Sequence, residues 1–184
     1  MNLSDLQNDY LLNEQRIMWL AEDIDEPVME RIAAQLWYLR KKDETLPIRM
    51  YFRCDGGDSR TGLAIANIVK DIGRVCGVLV GDTGSSAATI WAACEHRWVY
   101  ANARLGIHPV TWQENYSKYD ASKLRNLQGE FTKIDERQCE IYAAASHKSF
   151  EWWWERYNQT GDVKWLDARE LICIGMAEKA EDWK

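Results

Sequence analysis

The chain has little proline, three residues in 184. It also has no apolar run approaching the ~20 residues a membrane span requires. Its five cysteines, Cys54, Cys76, Cys94, Cys139 and Cys173, are widely spaced, odd in number and free of any C-x-x-C pair. That pattern disfavours a disulfide or zinc framework and points to reduced, mostly buried thiols in a cytoplasmic setting. The opening MNLSDLQNDYLLNEQ lacks the basic and apolar parts of a signal peptide. Positive charge is also short. The net charge is −6, and the one basic cluster, Arg40-Lys41-Lys42, runs straight into Asp43 and Glu44. No basic face is left to neutralise phosphates, so nucleic acid is not an expected partner, and neither is a membrane. No internal repeat or low-complexity linker divides the chain, which reads as a single domain over 1–184.

Tryptophan is abundant, with ten residues including Trp152-Trp153-Trp154. Such aromatic surface belongs in a core or a subunit interface. No glycine-rich or basic partner motif marks a cofactor box beside it, and no cofactor or metal is expected.

Along the chain, a short arm of about fifteen residues precedes a strand at 16–21 and the acidic turn EDIDEP. Pro27 opens a helix carrying Val28, Ile32, Leu36 and Leu39 at helical spacing. A strand at 48–54 stops at Asp55-Gly56-Gly57-Asp58, and a helix over 61–72 stops at Gly73. The apolar strand 75–80 ends at Gly81 and leads into a small-residue helix over 85–94. Short strands are expected at 98–101 and 104–108. A long helix over about 118–150 follows, its seam of Leu124, Leu127, Phe131, Ile134, Ile141 and Ala145 broken only by Gln138. The tail from Trp165 reads as a short helix with a Gly175 stop. Strands followed by glycine turns and helices define an α/β architecture, with chemistry expected where strands end and helices begin.

Three stretches could carry that chemistry. GDTGSSAATIWAAC places Ser85 and Ser86 between a strand and a helix. There a serine hydroxyl can act as nucleophile while helix N-terminal amides face a developing oxyanion. The competing reading of Ser85 is an ordinary helix N-cap. Gly56-Gly57 can turn backbone amides toward a reacting carbonyl, or form a plain surface turn. His108, in Gly-Ile-His-Pro, ends an apolar segment and can serve as general base. His96 and His147 look solvent-facing.

In this order the three stretches resemble the proteolytic subunit of the Clp protease, a serine peptidase family of the crotonase-like fold built from repeated β-β-α units. LLNEQRIMWLAEDID, AAQLWYLRKKDETLPIRMYFRCDGGDSRTGLAI, GDTGSSAATIWAACEHRWVYANARLGIHP and the closing WLDAREL…GMAE are similar to that family from Leu11 to about Glu178. The resemblance implies Ser85 as nucleophile and His108 as general base. It implies an oxyanion hole from the amide of Ser86 with one from Gly56 or Gly57. It further implies peptide or unfolded-protein substrates, a protruding handle helix, and stacked homo-oligomeric rings, heptamers in the family, served by an AAA+ unfoldase.

The sequence departs from the family in four places. Ser86 replaces a methionine and Ala87 a glycine. The family's triad aspartate falls on Val163, which leaves Asp162, one residue away, as the acid if a bulge aims it at His108. Asp167 reads as a helix cap. The arm is short for axial loops that would dock an unfoldase. Two further readings follow: a catalytically silent ring subunit with a structural role, favoured by Val163, and an acyl-CoA binder of the wider fold, for which no basic nucleotide site is evident.

Overall fold

The structure is a computed structural model that describes residues 10–111, 120–158 and 162–180. A helical stretch over 10–13 lies within the expected arm. The elements that follow are β1 (Ile17–Leu20), α1 (Glu26–Lys42), β2 (Ile48–Phe52), α2 (Ser59–Ile72), β3 (Val75–Leu79), β4 (Thr83–Gly84) and α3 (Ser85–Ala92). They continue as β5 (His96–Val99), β6 (Arg104–Ile107), α4 (Ala121–Ala144), α5 (Phe150–Asn158), β7 (Lys164–Asp167), α6 (Ala168–Cys173) and β8 (Glu178–Lys179).

Local chemistry explains most of the boundaries. The Asp25 carboxylate accepts the Val28 amide at the start of α1, Pro27 fits the first turn, and Val28, Ile32, Leu36 and Leu39 form the buried stripe. Asp58 caps α2 through the Thr61 amide, and Gly73 ends it with φ 64°, a backbone state glycine adopts freely. Asp167 caps α6 in a reciprocal capping box with Glu170.

β1, β2, β3, β5 and β8 form one parallel sheet in that order. All five residues of β3 are buried, as an interior strand covered on both faces requires. A second sheet, in the order β4-β6-β7, stands apart. β4 runs parallel to β6, with Gly84 opposite Gly106. β7 runs antiparallel to β6, with Gly106 opposite Trp165 and Ile107 opposite Lys164. Ser85 follows β4 and His108 follows β6, whereas Gly56 and Gly57 follow β2 of the larger sheet.

Three expectations change. β5 begins at His96, which opens a strand rather than lying in a turn, although its side chain is exposed as expected. The tail opens with β7, a strand, before α6. The long helix ends at Ala144 instead of about 150, and the tryptophan triplet falls in the separate α5. The N-terminal half of α4 is largely exposed, whereas Asp135, Gln138, Cys139, Ile141 and Tyr142 are buried in its second half. In α5, Trp153 is fully buried, meets Tyr142 at 5.2 Å between ring centroids and donates its indole N–H to Ser146.

Candidate active site

Ser85 follows β4 and has φ 56°, in the left-handed region that non-glycine residues rarely occupy. Strain of this kind, about 1–3 kcal/mol, persists only where surrounding structure enforces it. Here the enforcement comes from both sides. Gly84 donates its amide to the Cys54 carbonyl, and α3 begins at once with Ser86 to Ala92 buried. The serine is not a cap: Gly84 holds the N-cap position of α3, with no side-chain capping bond. The Ser85 hydroxyl makes no hydrogen bond with the described residues. The first-turn amides of α3 are therefore unclaimed by any side chain, and the positive end of the helix lies at Ser85.

The glycine pair divides its work. Gly56, at φ 112°, lies so close to Ser85 that a β-carbon on it would stand 2.6 Å from Ser85 Cβ. Its amide donates to Cys54 Sγ at 3.4 Å, and its carbonyl accepts the Ile24 amide at 2.8 Å. In the trans peptide that joins the two glycines, the Gly57 N–H points opposite to that carbonyl, away from Ile24. It meets no acceptor among the described residues. Gly57 itself packs on the Ile24 backbone, where a β-carbon would stand 2.3 Å from the Ile24 carbonyl oxygen. The Ser86 hydroxyl donates to the Gly57 carbonyl at 3.3 Å, so the buried serine ties the glycine turn to the start of α3.

His108 follows β6. Gly84 pairs with Gly106, so Ser85 and His108 come just after the carboxyl ends of the neighbouring parallel strands β4 and β6. The imidazole Nδ1 lies 2.7 Å from the Pro109 carbonyl oxygen. A carbonyl only accepts, so Nδ1 carries a proton, and in the neutral ring the lone pair is then on Nε2. That is the tautomer a general base for a serine requires.

The antiparallel β6–β7 register, extended by one residue, sets Val163 opposite His108. Val163 Cγ1 stands 2.9 Å from where a Gly106 β-carbon would be, so its side chain lies on the face that residues 106 and 108 share. An apolar side chain thus occupies the carboxylate position across from the histidine. Asp162, one residue away, lies in a bend before β7 and is exposed. No hydrogen bond or ion pair joins it to His108 or to any other described residue. Asp167 caps α6 instead.

Sequence reasoning did not single out Asp135. This carboxylate, on the buried half of α4, is 8% exposed and accepts the Val110 amide at 2.9 Å, two residues beyond His108. Burial pushes its pKa up, against lowering contributions from the Val110 amide, the Tyr157 hydroxyl and His108. The Tyr157 hydroxyl donates its proton to Gln138. The only sequence signal was an acid within the apolar stripe of a long helix, a position that reads as solvated until a partner appears.

The α/β fold thus presents a strained, uncapped serine at a helix N-terminus, with a glycine turn beside it and a histidine after a neighbouring strand. The chain belongs to the Clp protease family, whose sequence model, described as Clp protease, matches residues 4–182. Among its relatives is the "ATP-dependent Clp protease proteolytic subunit" of Cyanophora paradoxa, 30% identical over 109 residues. That match covers 56% of this chain and 55% of the relative, so the chain spans about half of the relative's length. The "ATP-dependent Clp protease proteolytic subunit 2" of Prochlorococcus marinus (strain MIT 9313) is 27% identical over 144 residues, 76% of this chain and 70% of the relative.

Proposed function

We propose that the chain is a serine endopeptidase acting through an acyl-enzyme, with Ser85 as nucleophile and His108 as general base. The observation that carries this reading is the left-handed backbone of Ser85 with its hydroxyl uncommitted at the start of α3. Ser85 Oγ attacks the peptide carbonyl carbon and its proton passes to His108 Nε2, while the carbonyl π pair moves onto oxygen. The amides of Gly57 and Ser86 face that oxyanion, and the geometry favours Gly57 over Gly56 because the Gly56 amide is already given to Cys54 Sγ. Collapse returns the proton to the leaving amine, and water activated by His108 then hydrolyses the ester. Peptides or unfolded proteins are the substrates, and the working form is a chambered homo-oligomer joined through the exposed half of α4, as the family suggests. An AAA+ unfoldase is the corresponding delivery partner.

A fluorophosphonate probe tests the assignment. The intact protein should gain one adduct per chain on Ser85, and Ser85→Ala should gain none. Val163 opposite His108 supports the second reading, a silent ring subunit. An assembled protein that stays unlabelled, and hydrolyses peptides only beside a co-expressed active relative, would establish that reading instead.

A further inference from the structure

We propose that Asp135 is the carboxylate that serves His108, a positioning residue supplied by the handle helix α4 in place of an acid from β7. The proposal rests on the peptidase reading of Ser85 and His108.

Three observations converge. The position across from His108 in the extended β6–β7 ladder is filled by Val163, and Asp162 lies exposed in a bend without a hydrogen bond to His108 among the described residues. Asp135 is buried and fastened to the Val110 amide at 2.9 Å, which fixes the carboxylate against the His108–Val110 segment. The orienting bond of the imidazole is taken by the neutral Pro109 carbonyl, which selects the tautomer but carries no net charge to balance an imidazolium. The work of a triad acid is thus divided: Pro109 orients the ring, and Asp135 stabilises the positive charge that forms when His108 takes the Ser85 proton.

The surroundings of Asp135 suit this role better than a structural one. The titratable groups facing it are His108 beyond β6, Tyr157 on α5, and Cys139 and Tyr142 on its own helix. Among the groups that influence its titration, His108 is the one that can become cationic. Tyr157 and Cys139 are themselves pushed upward by burial and stay neutral. A buried carboxylate without a permanent cation opposes folding. Its pKa is raised in the folded state, so stability is highest below the ordinary carboxylate range near 3.9 and falls as pH rises through the raised value. A residue that destabilises the fold at neutral pH while standing beside a candidate base has the signature of a functional group.

Asp135→Asn in the full-length chain tests this, because the amide oxygen can still accept the Val110 N–H. The rate of Ser85 labelling by fluorophosphonate should fall by about 10²-fold, and the acid limb of its pH profile should move to lower pH. The urea midpoint should rise at pH 7.5, with the gain shrinking toward pH 4. Unchanged labelling with an unchanged profile overturns the proposal. So does a variant that loses stability or fails to fold, since Asp135 would then be a structural clamp. If the wild-type chain is not labelled, the peptidase reading fails on its own. Asp135 is then tested by urea unfolding alone, where the midpoint gain of Asp135→Asn at pH 7.5 should still shrink toward pH 4; an unmoved midpoint overturns the proposal.

Discussion

At the scale of single residues, the site is a set of conformations that the chain adopts at some energetic cost. Ser85 at φ 56° is the clearest case. Replacing it with glycine should raise stability by about 1 kcal/mol, through relief of the left-handed penalty, and should abolish labelling. Urea unfolding with a probe assay on the same sample reads both effects. The two glycines separate by experiment as well. An alanine at Gly57 collides with the Ile24 backbone and should destabilise the protein by about 2 kcal/mol or more. An alanine at Gly56 presses directly on Ser85 and should suppress labelling even in folded protein. Ser85, His108 and the glycine pair were candidates in the sequence because each sits at a strand end with short-range punctuation around it. Asp135 was not, since its meaning depends on Val110 packing against it across the tertiary structure. The choice between Gly56 and Gly57 depends on which amide Cys54 Sγ occupies, a contact no sequence spacing reports.

At the scale of elements, the β4-β6-β7 sheet decides which side chains meet. Because Val163 lies across from His108 in the extended ladder, Val163→Asp should place a second carboxylate on the histidine's face. We expect it to recover at least about tenfold of the labelling rate lost in Asp135→Asn. No recovery in the folded double variant would count against the register argument. α6 offers a simpler check: Asp167→Ala removes one half of its capping box and should lower stability by about 1 kcal/mol without altering the pH profile of labelling. The cap at Asp167, the buried stripe of α1 and the Gly73 stop followed from local pattern. The strand β7 did not, because the four residues KWLD bear no alternation long enough to distinguish a strand from the first turn of a helix. The early end of α4 escaped for a related reason. Ala143, Ala144 and Ala145 continue helical propensity through the point where the helix stops.

At the scale of the whole molecule, the division into two sheets was not legible, since a two-residue strand such as β4 exists only through its long-range pairing with β6. The expected cysteine pattern is matched by five free thiols, of which Cys173 alone is exposed. Burial pushes Cys54 and Cys76 up to about 11 and Cys139 up to about 12, and raises Cys94 further. Iodoacetamide at pH 8 should therefore modify one thiol per native chain, counted by intact mass, and all five only after unfolding. The N-terminal half of α4, with Leu124 exposed and Leu127 and Phe131 half-buried on it, is the surface proposed for assembly. Light scattering should report an oligomer, and charged substitutions at Leu127 and Phe131 should shift it toward monomer while the isolated fold remains intact.

The glycine turn is held by Ile24, the serine follows β4, the histidine follows β6, and the buried acid arrives only with the second half of α4. These pieces are scattered along the chain in the order of synthesis. A refolding polypeptide therefore has to bring Ile24, Cys54, Gly84, Gly106 and the second half of α4 together before these residues meet. Recovery of fluorophosphonate labelling during refolding should accordingly lag behind recovery of helical signal, because the pieces are held by long-range contacts and none forms the arrangement alone.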